Sequence, residues 1–291
     1  MKQKQKQNSG LADFVSQFRE NRTALVGAAV ILLLVLVAIF APQLAPHNPI
    51  KASLDERLTG PSEKYPLGTD HLGRCVLSRL LYGARISLAV GVVVVGVAAA
   101  VGVALGIISG FYGGVLDEII MRLVDAMLAF PSIFLALAIA GTLGPGLGNV
   151  MIAIIVVEWT RYARVIRGSI LSVKENYYVE AARALGASDF YVVTRHILPN
   201  AIAPIIVVAT LGMAPVILAA TSLSFLGLGV QPPTPEWGMM LNDGRLFMRR
   251  APHLTTFPGV AIMITILAFN LLGDGLRDAL DPRARTEKEL R

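Results

Sequence analysis

The sequence predicts an all-α membrane protein with six transmembrane helices and a cytoplasmic helical elbow, on three observations. Of its 291 residues 54% are hydrophobic and 16% charged, with a mean hydropathy of +0.62, whereas soluble domains carry about 25% charged residues. The apolar residues gather in six runs near the ~20 residues that a bilayer requires. Between the fourth and fifth runs, Tyr177 to Pro199 carries Glu180, Arg183, Asp189 and Arg195, too many charges to lie in hydrocarbon. The net charge of +6 does not indicate nucleic acid, because the basic residues flank apolar runs instead of forming one solvated face. A single cysteine, Cys75, excludes an intrachain disulfide framework and a multi-thiolate metal site. Four scattered histidines do not suggest a metal site either.

In chain order, residues 1–23 are a polar tail with Lys2, Lys4, Lys6, Arg19 and Arg22. The run from Ala24 to Ala41 has no convincing small-residue cleavage site and is predicted to be a retained first span, tail inside. Residues 42–84 are polar and rich in Pro and Gly, an outer segment. Ile86 to Gly110 is the second span, and Gly102, Gly106 and Gly110 at four-residue spacing leave one face bare for close packing. The third span, Ile119 to Leu143, holds Arg122 and Asp125, which can neutralise each other three residues apart, and Pro131, which predicts a kink. The fourth runs from Leu147 to Ile166, with Glu158, Arg161 and Arg164 towards its inner end. The fifth, Ala201 to Leu226, contains Pro204 and Pro215, tolerated where helices face one another or a water-filled path. A second outer segment, Gly227 to Thr256, precedes the last span, Phe257 to Leu272. The proposed inner segments hold five, six and five Lys and Arg, the outer segments five and three, and this bias places both termini inside.

Within the charged stretch, Tyr178, Ala181, Ala182 and Leu185 fall on one stripe of a short helix. Gly186 supplies the left-handed residue that ends it. A second segment, Asp189 to Leu198, is expected to stop at Pro199. The Ala-Ala centre lets a partner approach closely, with Glu180 and Arg183 placed to pair across the contact. Pattern alone leaves a docking helix and a helix lying on the membrane interface both open.

Glu180-Ala181-Ala182, Gly186 and Leu198-Pro199 resemble the EAA loop of importer-type ABC transporter permeases, although His196 stands where that family often has isoleucine. The resemblance covers nearly the whole chain from Leu25. Leu67-Gly68-Thr69-Asp70, Gly73-Arg74 and Ser78-Arg79 resemble the dipeptide, oligopeptide and nickel branch, as do Asp125, Phe130-Pro131 and Ser224 to Gly229. So do Pro235-Glu236-Trp237-Gly238, Asn270 to Asp274, Leu276-Arg277-Asp278 and Asp281-Pro282. One departure is Cys75, where the branch usually has an aspartate able to cap the following helix.

The resemblance implies a five-helix type I permease core over 85–277, with a coupling loop at 167–200, preceded by a first helix and outer segment over 24–84 and followed by a cytoplasmic tail at 278–291. Its implied partners are a second permease subunit (the chain itself being the second of the pair), two cytoplasmic ATPase subunits and an extracytoplasmic solute-binding protein. Glu180 becomes the charge contact, Ala181 and Ala182 the close-packing surface, Arg183 a flanking charge, Gly186 the turn, and Leu198-Pro199 the exit into the fifth span. Ala182→Trp is expected to abolish transport and spare membrane insertion. No Walker phosphate-binding pattern occurs, so ATP is expected in the partner subunits, with no cofactor and no catalytic residue here. The implied cargo is a di- or oligopeptide, with nickel or a glutathione-like peptide as alternatives. His47, His71 and His253 do not pair at helical spacing as nickel ligands would. A rival reading makes Asp125 and Asp274 the acid pair of an intramembrane aspartyl protease, but position 271 is leucine where such enzymes carry glycine.

Overall fold

A single polar side chain starts the first long helix. Asn21 accepts the amide of Ala24 at 3.0 Å, and from this cap α1 runs over Arg22–Ile39. The computed structural model describes residues 16–280. Residues 1–15 of the 1–23 tail, and residues 281–291 of the 278–291 tail with Asp281-Pro282, therefore lie outside the described residues. After the short α2 (Ala41–Leu44), a polar stretch leads into α3 (Val76–Tyr112). Then come α4 (Gly114–Leu128), α5 (Ser132–Leu143) and α6 (Leu147–Lys174). The elbow is α7 (Tyr177–Ala184) and α8 (Asp189–Val192), followed by α9 (Leu198–Phe225), α10 (Trp237–Gly244) and α11 (His253–Leu280). The described chain is helical, with no strand beyond an isolated bridge between Thr69 and Cys75.

Among the described residues four helices are long and apolar enough to cross a membrane, and the α4–α5 pair, bent by 92°, counts as a fifth when taken as one span. Pro131 stands at the break, where it lacks an N–H and restricts the residue before it. The remaining expected span is α6. Its 28 residues are long enough, but Glu158, Arg161, Arg164, Arg167 and Lys174 make its second half polar.

The glycine spacing in α3 forms its joint with α6. A Cβ on Gly102 would stand 2.5 Å from the Trp159 carbonyl oxygen, one on Gly106 2.7 Å from that of Ala163, and one on Gly110 3.0 Å from Ile170 Cβ. The bare face of α3 therefore receives the α6 backbone together with the first side-chain atoms of Tyr162, Ile166 and Ile170. Close packing recurs where α1 crosses α11, with Gly275 against Ala24.

Several elements differ from expectation. Helix α3 begins at Val76, not Ile86, and spans 37 residues. Cys75 occupies its N-cap without a side-chain hydrogen bond, as expected of a thiol where an aspartate would cap. Pro199 does not stop the chain. A wide π turn over Val193–Ile197, in which the amide of Leu198 reaches the Val193 carbonyl, carries α8 into α9 as one rod. That turn precedes a residue with no N–H to donate, and Pro199 falls in the tolerant first turn of α9. Arg122 pairs with Glu118 at 2.9 Å instead of Asp125, because Asp125 is engaged by Arg164 on α6. An i, i+4 partner on its own helix and a cation on the facing helix win over the i, i+3 pairing.

Candidate functional site

The two ends of the bundle carry different chemistry. Arg79 and Phe111 lie 32 residues apart on α3, about 48 Å along the helix. The polar segments gather at the Arg79 end and the elbow at the Phe111 end.

At the elbow, Val179 is fully buried with Val192, Ile197, Ile166, Ile170 and Phe111. Arg183 lays its guanidinium over the Phe111 ring at 4.7 Å, and Lys174 donates to the Phe111 carbonyl at 2.8 Å. Gly186 has φ +82°. Its amide reaches the Arg183 carbonyl at 2.9 Å, and that of Ala187 reaches the Ala182 carbonyl at 3.0 Å. This left-handed cap closes α7 as expected. Ser188 then caps α8 by accepting the Tyr191 amide.

This anchoring splits the expected stripe. Tyr178, Glu180, Ala181 and Leu185 are exposed, whereas Ala182 turns inward and is half-buried beside the Val179 cluster. Val179, not Ala182, fixes which face looks out. The outer face shows Tyr177 and Leu185, each 88% exposed, and α8 adds Phe190 at 79%. Leu198 is half-buried and Pro199 exposed at the start of the rod. His196 lies between Tyr178 and Tyr191, with ring centroids 6.0 and 5.7 Å away.

At the opposite end, charges are buried and paired. Arg74 and Arg79 are each 2% exposed. Arg74 Nε donates to Asp70 at 2.6 Å and its Nη2 to Asp243 at 3.2 Å. Arg79 donates to the carbonyls of Pro49 and Pro233 at 3.2 and 3.1 Å. Asp70 also accepts the amides of Leu72 and Arg74, each at 2.9 Å. The cluster ties the two polar segments together, and each of its own buried charges has a partner, as burial requires. Beside it Trp237 packs on Gly83 and donates to the Leu80 carbonyl at 3.0 Å. Glu236 caps α10 by accepting the amides of Gly238 and Met239 at 2.8 and 2.9 Å. Burial raises its carboxyl pKa, an effect those two amides partly offset. Each histidine considered for nickel makes a local contact: His47 with Tyr65, His71 with Phe247, and His253 with the Thr69 carbonyl.

Sequence reasoning missed Asp243 as the partner of Arg74. The available signal was an acid close to Arg245, Arg249 and Arg250 in a segment that had to face a basic one. The protease pair does not form through Asp125, which is committed to Arg164.

A bundle of apolar helices with a small, rigid elbow at one end and a charge-locked cap at the other defines a multi-pass membrane protein of the transport class. The chain belongs to the family described as binding-protein-dependent transport system inner membrane component, whose model matches residues 102–286. A second model, the N-terminal TM domain of oligopeptide transport permease C, matches residues 9–61. Among relatives, the glutathione transport system permease protein GsiD of Escherichia coli O157:H7 and that of Shigella boydii serotype 4 (strain Sb227) are each 48% identical over 274 residues. That match covers 94% of this chain and 90% of each relative. The protein is thus an ABC importer permease of the dipeptide/oligopeptide type, in the inner membrane.

Proposed function

We propose that this chain is the second of two permease subunits in a heteromeric, ATP-driven importer of short peptides. Its termini are cytoplasmic. Two ATPase subunits bind ATP, one of them gripping the elbow, and a solute-binding protein delivers cargo to the polar cap. The glutathione named for the relatives favours a glutathione-like or other short peptide as cargo.

The elbow's outward face carries this reading: Tyr177, Leu185 and Phe190 exposed around the small Ala181, on a helix pinned from behind by Val179. Exposed large apolar residues on a rigid support mark an interaction surface. Glu180 supplies the charge contact, and Arg183, turned to Phe111, holds the elbow to α3. Gly186 sets the turn, and Leu198-Pro199 passes its motion into α9. ATP-driven closure then favours one of two arrangements through its different grip on each.

Ala181→Trp, not Ala182→Trp, is the clean test, because Ala182 belongs to the internal packing. In proteoliposomes holding the assembled transporter, Ala181→Trp should stop ATP-dependent glutathione uptake and release the ATPase subunits while the partner permease still co-purifies. Undiminished uptake would overturn docking through this face.

A further inference from the structure

Helices α5, α6 and α9 line an open pocket of about 280 Å³ that the elbow and the cap leave unexplained. Its walls combine apolar Ala136 and Pro215, the hydroxyls of Ser132 and Ser222, and the charged pair Glu158 and Arg161. Glu158 lies 16 residues before Lys174, about 24 Å along α6 from the elbow. This places a carboxylate deep within the bundle, where ionisable groups are costly and mark function.

The carboxylate is incompletely satisfied. Glu158 is 9% exposed and its Oε2 accepts no hydrogen bond. The neighbouring cation, Arg161, stands 4.0 Å away with its side chain half exposed, beyond hydrogen-bonding distance. A buried carboxylate oxygen with no donor strongly favours a ligand that brings one, and a cationic donor most of all. The volume far exceeds a bare ion and approaches the ~300 Å³ at which small-molecule sites begin. The apolar walls suit side chains attached to that cation.

We propose that this pocket is a cargo subsite in which Glu158 receives the free ammonium group of a short peptide, with Arg161 steering the carboxylate and Ser132 and Ser222 flanking the backbone. The site is distinct from the extracytoplasmic binding protein and selects cargo a second time within the membrane. The inference rests on the importer reading above.

The test uses the complete transporter, permease pair plus ATPase subunits, in nanodiscs without its binding protein. Trialanine is the probe and N-acetyl-trialanine the control. Wild type should bind trialanine at least about tenfold more tightly than the acetylated peptide, as expected for one charged hydrogen bond. Glu158→Gln should bind both peptides equally weakly, and Glu158→Asp should recover part of the preference. Equal affinity of wild type for the two peptides would overturn the proposal. So would loss of the partner permease from Glu158→Gln, which would make this pair a subunit contact. ATP-dependent glutathione uptake by the wild-type complex in proteoliposomes supplied with its binding protein, measured in parallel, separates the two readings. If uptake persists and the preference is missing, only the subsite fails; if uptake itself is absent, the importer reading fails.

Discussion

Arg74 shows how a permease of this type carries charge out of water. Its guanidinium bridges Asp70 on its own loop and Asp243 on the distant polar segment. Removing one member of such a cluster leaves the others buried and uncompensated, at a cost of about 3–5 kcal/mol. Arg74→Met should therefore lower the thermal unfolding temperature of the purified complex well below that of Lys64→Met at the exposed rim. Equal melting of the two variants would remove the cluster's structural role. At that rim, Lys64 first and Tyr65 second hold the Glu56 carboxyl below its ordinary 4.5. A depressed carboxyl contributes stability that is complete above about 4.5 and is lost as pH falls through the lowered folded value. Hydrogen-exchange protection factors over 53–65, corrected for the intrinsic pH dependence of exchange, should thus fall on acidification below that value in wild type, and change less in Lys64→Met. The charges of this end were legible in the sequence, but their pairing was not. Asp243 and Arg74 are 169 residues apart, and only the folded chain brings them together.

Among the elements, the glycine joint between α3 and α6 was the most readable feature, because a four-residue spacing of bare positions has a direct geometric meaning. Gly106→Leu would drive a side chain into the Ala163 carbonyl. Overpacking of this kind costs about 1–3 kcal/mol. The variant should give less folded protein on size exclusion, whereas Gly148→Leu, in open space, should not. The bend at Pro131 was equally visible, since a missing N–H interrupts a helix wherever it falls. The rod through Pro199 was not, because the π turn that accommodates the proline is set by how Val192 and Ile197 are buried against α6 and α3. The elbow's facing was misjudged for a related reason. Ala182 and Ala181 are alike as residues, and only the buried Val179 between the helix and its support distinguishes them.

At the scale of the whole molecule, the elbow and the charged cap occupy opposite ends of α3. Impermeant maleimide should modify Ser188→Cys only in inside-out vesicles and Lys51→Cys only in right-side-out vesicles, each in a Cys75→Ala background. Labelling of both from one side would contradict the proposed orientation. Composition made the membrane class readable, and the positive-charge bias is the basis of the proposed orientation. The number of crossings was less so, since α6 hides its length behind the polar groups of its second half.

Because Tyr162, Ile166 and Ile170 of α6 seat on three successive bare positions of α3, sliding one helix along the other would drive those side chains into their neighbours on α3. Phe111 at the tip of α3 and Lys174 at the tip of α6 are further fastened by a hydrogen bond of 2.8 Å. In the proposed coupling, a push on the elbow would swing both helices together like a single oar, and with them the wall on which Glu158 sits.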